Sequence, residues 1–128
     1  MIYLDSSVVL ARLFVEARSL PDAVFQFSLV SSSLLEYEVW NRIHAHGATQ
    51  SHGEETRALL ARVLLLELSP EILARALEPF PISVRTLDAL HLATIVYLRR
   101  ELNDIELASY DQRLIAGARA LDVPIYAT

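Results

Sequence analysis

Along this chain short apolar stretches alternate with longer segments whose apolar positions recur at helical spacing. The short stretches read as buried strands: "IYLD" over 2–5, the "SLVS" of 28–31, "VLLLEL" over 63–68, "IELASY" over 105–110, and a last short "PIYA". Periodicity alone does not separate strand from helix end in "VLLLEL"; strand is the reading adopted. Helices are expected from Ser6 to about Phe14, from about Leu20 to Phe27 with Pro21 in its first turn, and from Ser33 to about Ala45. Further helices are expected from about Glu54 to Arg62, over "SPEILARALEPF" with Ser69 as N-cap and Pro70 at the first position, from Thr86 to about Arg100, and over "DQRLIAGARAL". "HGATQSHG" reads as a loop and "FPISVR" as a connector. Strand–helix alternation over the whole length predicts an α/β fold, a parallel sheet with helices on both faces.

Composition narrows this further. At 128 residues, 53% hydrophobic and with only three glycines, residues 1–128 are expected to form one helix-rich domain rather than a disordered chain. The longest uncharged run, Ala23 to Leu35, is too short and too polar for a membrane span. No basic leader precedes the first strand, and there is no cysteine for disulfides or thiolate metal sites, so a cytoplasmic setting is expected. The net charge of −5 argues against nucleic-acid binding, unless the acids gather where a cation neutralises them. Every basic side chain apart from histidine is arginine.

Where the acids fall is therefore the central question. In a doubly wound sheet, function collects at the carboxyl ends of strands, where strand order reverses. Asp5 ends the first strand and Asp111 follows the fourth; if those strands are neighbours, the two carboxylates converge. Each has a structural alternative as a helix N-cap. Asp88 falls in the first turn of a long, mostly apolar helix, where it also suits the helix dipole. In "SSSLLEYEV", Ser33 and Glu36 have capping-box spacing, which leaves Glu38 for chemistry. Ser109 shares a strand face with Asp111 and can hydrogen-bond a carboxylate. Arg85 is placed to contact phosphate or pair with an acid, and His91 reads first as a hydrogen-bonded structural residue. His44, His46 and His52 flank the expected loop and receive no role.

Four acids from separate segments repel one another unless a hard divalent cation such as Mg²⁺, or Mn²⁺, relieves them. Phosphodiester hydrolysis is the chemistry such a site serves. The motifs "YLDSSVV", "SSSLLEYEV", "RTLDALHLAT" and "ASYDQRL" with "LDVPI", in that order, resemble the PIN-domain family and within it the VapC-type toxins. The resemblance implies a three-layer α/β/α sandwich around a mainly parallel sheet of four or five strands. It implies a Mg²⁺-dependent endoribonuclease, the toxin of a type II toxin–antitoxin pair, with Asp5, Glu38, Asp88 and Asp111 as its acidic metal site. Ser7 and Ser109 match supporting positions. It also implies an RNA substrate, a cognate antitoxin, and a homodimer or hetero-oligomer with that antitoxin. Asp122 stands where such proteins often have glycine, and residues 47–80 match only in pattern.

Rival readings fare worse. Receiver domains and haloacid-dehalogenase-type phosphatases need a lysine, which the chain lacks. Dinucleotide binding needs glycines after the first strand, and Gly47, Gly53 and Gly117 lie elsewhere. A PIN-like protein-binding module without nuclease activity is the remaining alternative.

Overall fold

The computed structural model describes residues 1–16, 22–102 and 104–126. Among these residues four strands, β1 (Ile2–Leu4), β2 (Leu29–Ser32), β3 (Val63–Leu66) and β4 (Glu106–Ala108), form one sheet in the order β3-β2-β1-β4. Every neighbouring pair is parallel. Among the described residues six α-helices surround it: α1 (Ser6–Leu13), α2 (Leu34–Ala45), α3 (Thr49–Leu60), α4 (Pro70–Ala76), α5 (Thr86–Leu102) and α6 (Gln112–Ala120). The expected alternation thus yields a parallel sheet between helical layers.

The pleat explains the two cores. Ile2 and Leu4 point to one face, where they join Val8, Val9, Leu35, Val39, Ile43 and Leu60 of α1, α2 and α3. Tyr3, between them, points to the other face and packs with Leu92, Ile95 and Leu98 of α5 and Leu114 and Ala118 of α6. Both sides of β1 are buried, which is why its sequence is continuously apolar rather than alternating.

The chain lays down β1, β2 and β3 in one direction, then returns to place β4 on the far side of β1. Strand order therefore reverses between β1 and β4, with Leu4 opposite Ala108. The crevice beyond the carboxyl ends of these two strands receives Asp5 and Asp111. Close packing of α6 on α5 brings the first turn of α5 to the same place. Gly117 permits it, since a Cβ there would lie 2.7 Å from Leu92 Cδ1.

Several expected details are corrected. The segment read as the loop "HGATQSHG" is a loop only over 46–48; α3 begins at Thr49, not near Glu54. Gly47, at φ 63°, turns the chain out of α2, and Gly53, Thr56 and Leu60 bury one stripe of α3 despite its polar composition. The capping box is not formed. Ser33 makes no side-chain cap, and the Leu34 amide donates instead to Ser32 Oγ at 3.1 Å. α5 begins at Thr86 as expected and runs on to Leu102. "PIYA" contributes a single bridge, Ile125 to Leu107, rather than a strand. The helix expected over about 20–27 is a 3₁₀ segment, Asp22–Gln26, and Leu20 and Pro21 lie outside the described residues. Ser69 caps α4 as expected, accepting from the Ile72 amide at 3.3 Å. Asp122 sits at φ 60°, the left-handed region where glycine is unstrained, which accounts for the residue type expected there. Among the described residues no helix is long and apolar enough to cross a membrane.

Candidate active site

Asp5 is both a cap and a site residue. It ends β1 with extended backbone and caps α1, accepting from the Ser7 amide at 3.4 Å. The Ser7 hydroxyl donates to the same oxygen, Oδ2, at 2.6 Å, and the Ser109 hydroxyl donates to it at 2.8 Å. These three bonds leave Oδ1 for the cavity that Asp5 lines. The two serines are themselves fixed, because the Tyr110 amide donates to Ser7 Oγ and the Asp111 amide to Ser109 Oγ, each at 2.9 Å. The β1–α1 and β4–α6 junctions are thereby tied together through one carboxylate oxygen.

Asp111 repeats the pattern at β4. It caps α6 through Oδ1, accepting from the Arg113 and Leu114 amides at 2.9 and 3.3 Å, and its Oδ2 is not used by the cap. For both aspartates the structural and the functional role coexist, one on each oxygen.

Asp88, in the first turn of α5, is 8% exposed. Glu38, on the first turns of α2, is partly buried, whereas Glu36 is exposed. All four acids line one cavity of about 650 Å³, together with Ser6, Arg85, His91 and Arg113. The structure therefore brings Asp5, Glu38, Asp88 and Asp111 into a common cleft, with Arg85 at its edge and Ser7 and Ser109 beneath it.

The acids burden one another. Burial pushes the Asp5 carboxyl above its ordinary value, the two serine hydroxyls pull it part of the way back, and the Glu38 charge adds to the rise. Burial also raises Asp88, and the Asp111 and Asp5 charges raise it further. Among the described residues no three His, Asp or Glu side chains form a ready-made metal cage. The donor chemistry nonetheless fits a hard divalent cation. All the donors are carboxylate oxygens, Asp5 and Asp111 each keep one oxygen outside their caps, and the acids' mutual repulsion would be relieved by positive charge.

Sequence reasoning missed a chain of hydrogen bonds behind Glu38. The Ser32 amide donates to Tyr3 Oη at 3.2 Å, Tyr3 Oη lies 2.7 Å from His91 Nδ1, and His91 Nε2 lies 2.9 Å from Glu38 Oε1. With the phenol donating to Nδ1, the Nε2 proton points at Glu38. Burial opposes a charge on His91, but the hydrogen bond and charge of Glu38, helped by Asp5 and Asp88, raise its pKa overall. His91 thus holds Glu38 in the cleft and fixes its orientation. The only sequence signal was its position three residues after Asp88 on the same helix.

The family model for the PIN domain matches residues 2–120. The chain belongs to the PIN-domain family. It is 34% identical over 131 residues to Ribonuclease VapC46 of Mycobacterium tuberculosis, an alignment covering 98% of this chain and 96% of that protein. It is 30% identical over 125 residues to Ribonuclease VapC47 from another strain of the same species, covering 93% and 90%. Among solved structures, the fold matches a chain of a toxin–antitoxin complex from Klebsiella pneumoniae with a TM-score of 0.70 and 20% identity, over 94% of each chain.

Proposed function

We propose that this protein is a metal-dependent endoribonuclease, the toxin of a type II toxin–antitoxin pair. The observation that carries the reading is the convergence of Asp5, Glu38, Asp88 and Asp111 on one cavity, with two serine hydroxyls saturating only one oxygen of Asp5. Family membership and relatives named as VapC ribonucleases support the choice of RNA as substrate. The likeness to a chain of a toxin–antitoxin complex agrees in fold with an antitoxin partner, as a hetero-oligomer or around a homodimer. Such a substrate and partner suit a cytoplasmic protein.

The carboxylates of Asp5, Glu38, Asp88 and Asp111 would hold Mg²⁺ or Mn²⁺. When bound, the cation supplies Lewis-acid polarisation of the phosphate and makes water a better nucleophile at neutral pH. The remaining work belongs to the chain. Ser7 and Ser109 keep Asp5 from turning away. His91 holds Glu38 through Oε1 and so keeps this carboxylate at the cleft. Arg85 and Arg113, whose guanidinium groups have no partner among the described residues, are free to bind phosphates flanking the cut.

The test is cleavage of total cellular RNA by the purified chain, freed of any partner. Discrete products are expected with Mg²⁺, none with EDTA, and products again when Mn²⁺ is added back. The same products in EDTA, or none under any condition, would contradict the reading. In the second case the alternative of a protein-binding module would stand, though no feature of the cleft favours it.

A further inference from the structure

A second cavity, of about 580 Å³, adjoins the acid cleft and shares Ser6 with it. Two helical stripes form its walls. On the α1 side are Ser6, Leu10 and Phe14; on the α2 side Arg42 and His46 continue the line begun by Glu38. Each stripe is spaced i, i+4, i+8, so each follows one helix face. Eight residues of helix span about 12 Å, so the groove runs directly away from the acids along both helices.

Its chemistry differs from that of the cleft. The Arg42 guanidinium is exposed and has no ion pair, hydrogen bond or ring contact among the described residues. Other arginines are engaged: Arg12 with Asp22, Arg57 over Trp40, Arg75 over Phe80, Arg100 with Glu71. Arg42, like Arg85 and Arg113 at the cleft, is thus left free to bind an anion. Phe14 is half-buried and in ring contact with His46, at 5.2 Å between centroids, and with His52 at 5.1 Å. His46 is anchored through Nδ1, 2.9 Å from the Arg42 carbonyl, which leaves Nε2 available. Glu16 also borders the cavity.

We propose that this α1–α2 groove is a nucleotide subsite, holding the RNA unit next to the phosphate being cut. Arg42 and His46 take its phosphate, and the Phe14–His46 wall takes the base by stacking, which tolerates any base. The strand would cross the protein from the Arg85 and Arg113 rim, over the acids, to Arg42. The proposal rests on the ribonuclease reading and adds the path of the substrate to it.

Steady-state cleavage of a short single-stranded RNA, with binding followed by anisotropy on Asp5→Asn protein, tests it. Arg42→Gln should raise KM about tenfold, on the scale of one lost charged contact, with kcat little changed. It should also lower the slope of log affinity against log salt by roughly 0.7, the single-strand value for one phosphate contact. Arg119→Gln, an arginine on α6 that borders neither cavity, should do neither. Phe14→Leu should weaken binding without changing the salt slope. Should that variant fold poorly, the Arg42 and Arg119 pair still decides. If Arg42→Gln behaves like Arg119→Gln while the wild type cleaves RNA, the subsite is overturned, the groove belongs to a protein partner or to nothing, and the nuclease reading survives. If the wild type neither cleaves nor binds RNA, both fall.

Discussion

Asp5→Asn is expected to cut RNA cleavage steeply and, in metal-free buffer, to make the protein more stable. The asparagine Oδ1 can accept the bonds now made by the Ser7 amide and the two serine hydroxyls, so the β1–α1 and β4–α6 junctions stay tied. What disappears is a negative charge held in a buried place beside Glu38. Removing it should raise stability by roughly 1 kcal/mol, or about 4 °C in melting temperature. Activity should fall by about two to three orders of magnitude, the scale for removing one preorganised group from developing charge. Thermal melts in EDTA beside initial rates in Mg²⁺ check both halves. A variant that is inactive because it is unfolded would refute the account of Asp5 as a strained but productive charge.

The pH dependence has the same origin. Asp5, Asp88 and His91 all have folded pKa values above their ordinary ones, so the folded chain binds protons more tightly than the unfolded chain. For the two aspartates this is a penalty, absent below the unfolded value of 3.8 and growing as pH rises through the raised folded values. For His91 it is a gain, fully present below 6.5 and lost as pH rises through its raised value. All three make the metal-free protein less stable as pH climbs from acid to alkaline, and a bound cation opposes the aspartate part of that loss.

His91→Ala is expected to give the largest loss of stability among changes at the site. His91 is 2% exposed, and its removal opens a cavity between α5 and the sheet. It also strips Tyr3, which is fully buried, of its 2.7 Å partner and leaves Glu38 without its anchor. Together these should cost about 3 kcal/mol. Cleavage measured well below the melting temperature should fall as well, because Glu38 is no longer oriented. His91→Gln, which can still accept from the phenol and donate to the carboxylate, should recover part of both. Chemical denaturation gives the stability, and rates for the two variants at one temperature give the function. Equal rates in His91→Ala and the wild type would show that the anchor has no bearing on catalysis.

The contrast between these two residues shows what the sequence makes legible. Asp5, Asp88 and Asp111 stood out because strand ends and helix starts can be read locally, and a parallel sheet then dictates where they meet. The capping-box spacing that sets Glu36 aside in favour of Glu38 is not realised, since Ser33 makes no side-chain cap. What separates the two glutamates is position: Glu38 borders the cleft and Glu36 is exposed. The Tyr3–His91–Glu38 chain was not legible, because its links span 88 and 53 residues and neither partner carries a local signature. The start of α3 at Thr49 is not legible for a related reason. Its first turns are polar and contain Gly53, and the helix is held by tertiary burial of Gly53, Thr56 and Leu60 rather than by propensity. The Arg42 groove escaped notice because it depends on α1 and α2 lying side by side.

The most direct test of the central claim, that these four acids form one cation site, is a calorimetric titration of Mn²⁺ into the metal-free protein at neutral pH. It is run beside the same titration of an Asp88→Asn/Asp111→Asn double variant. Saturable heat in the wild type and none in the variant is the predicted result. No binding in either, or equal binding in both, would contradict the claim.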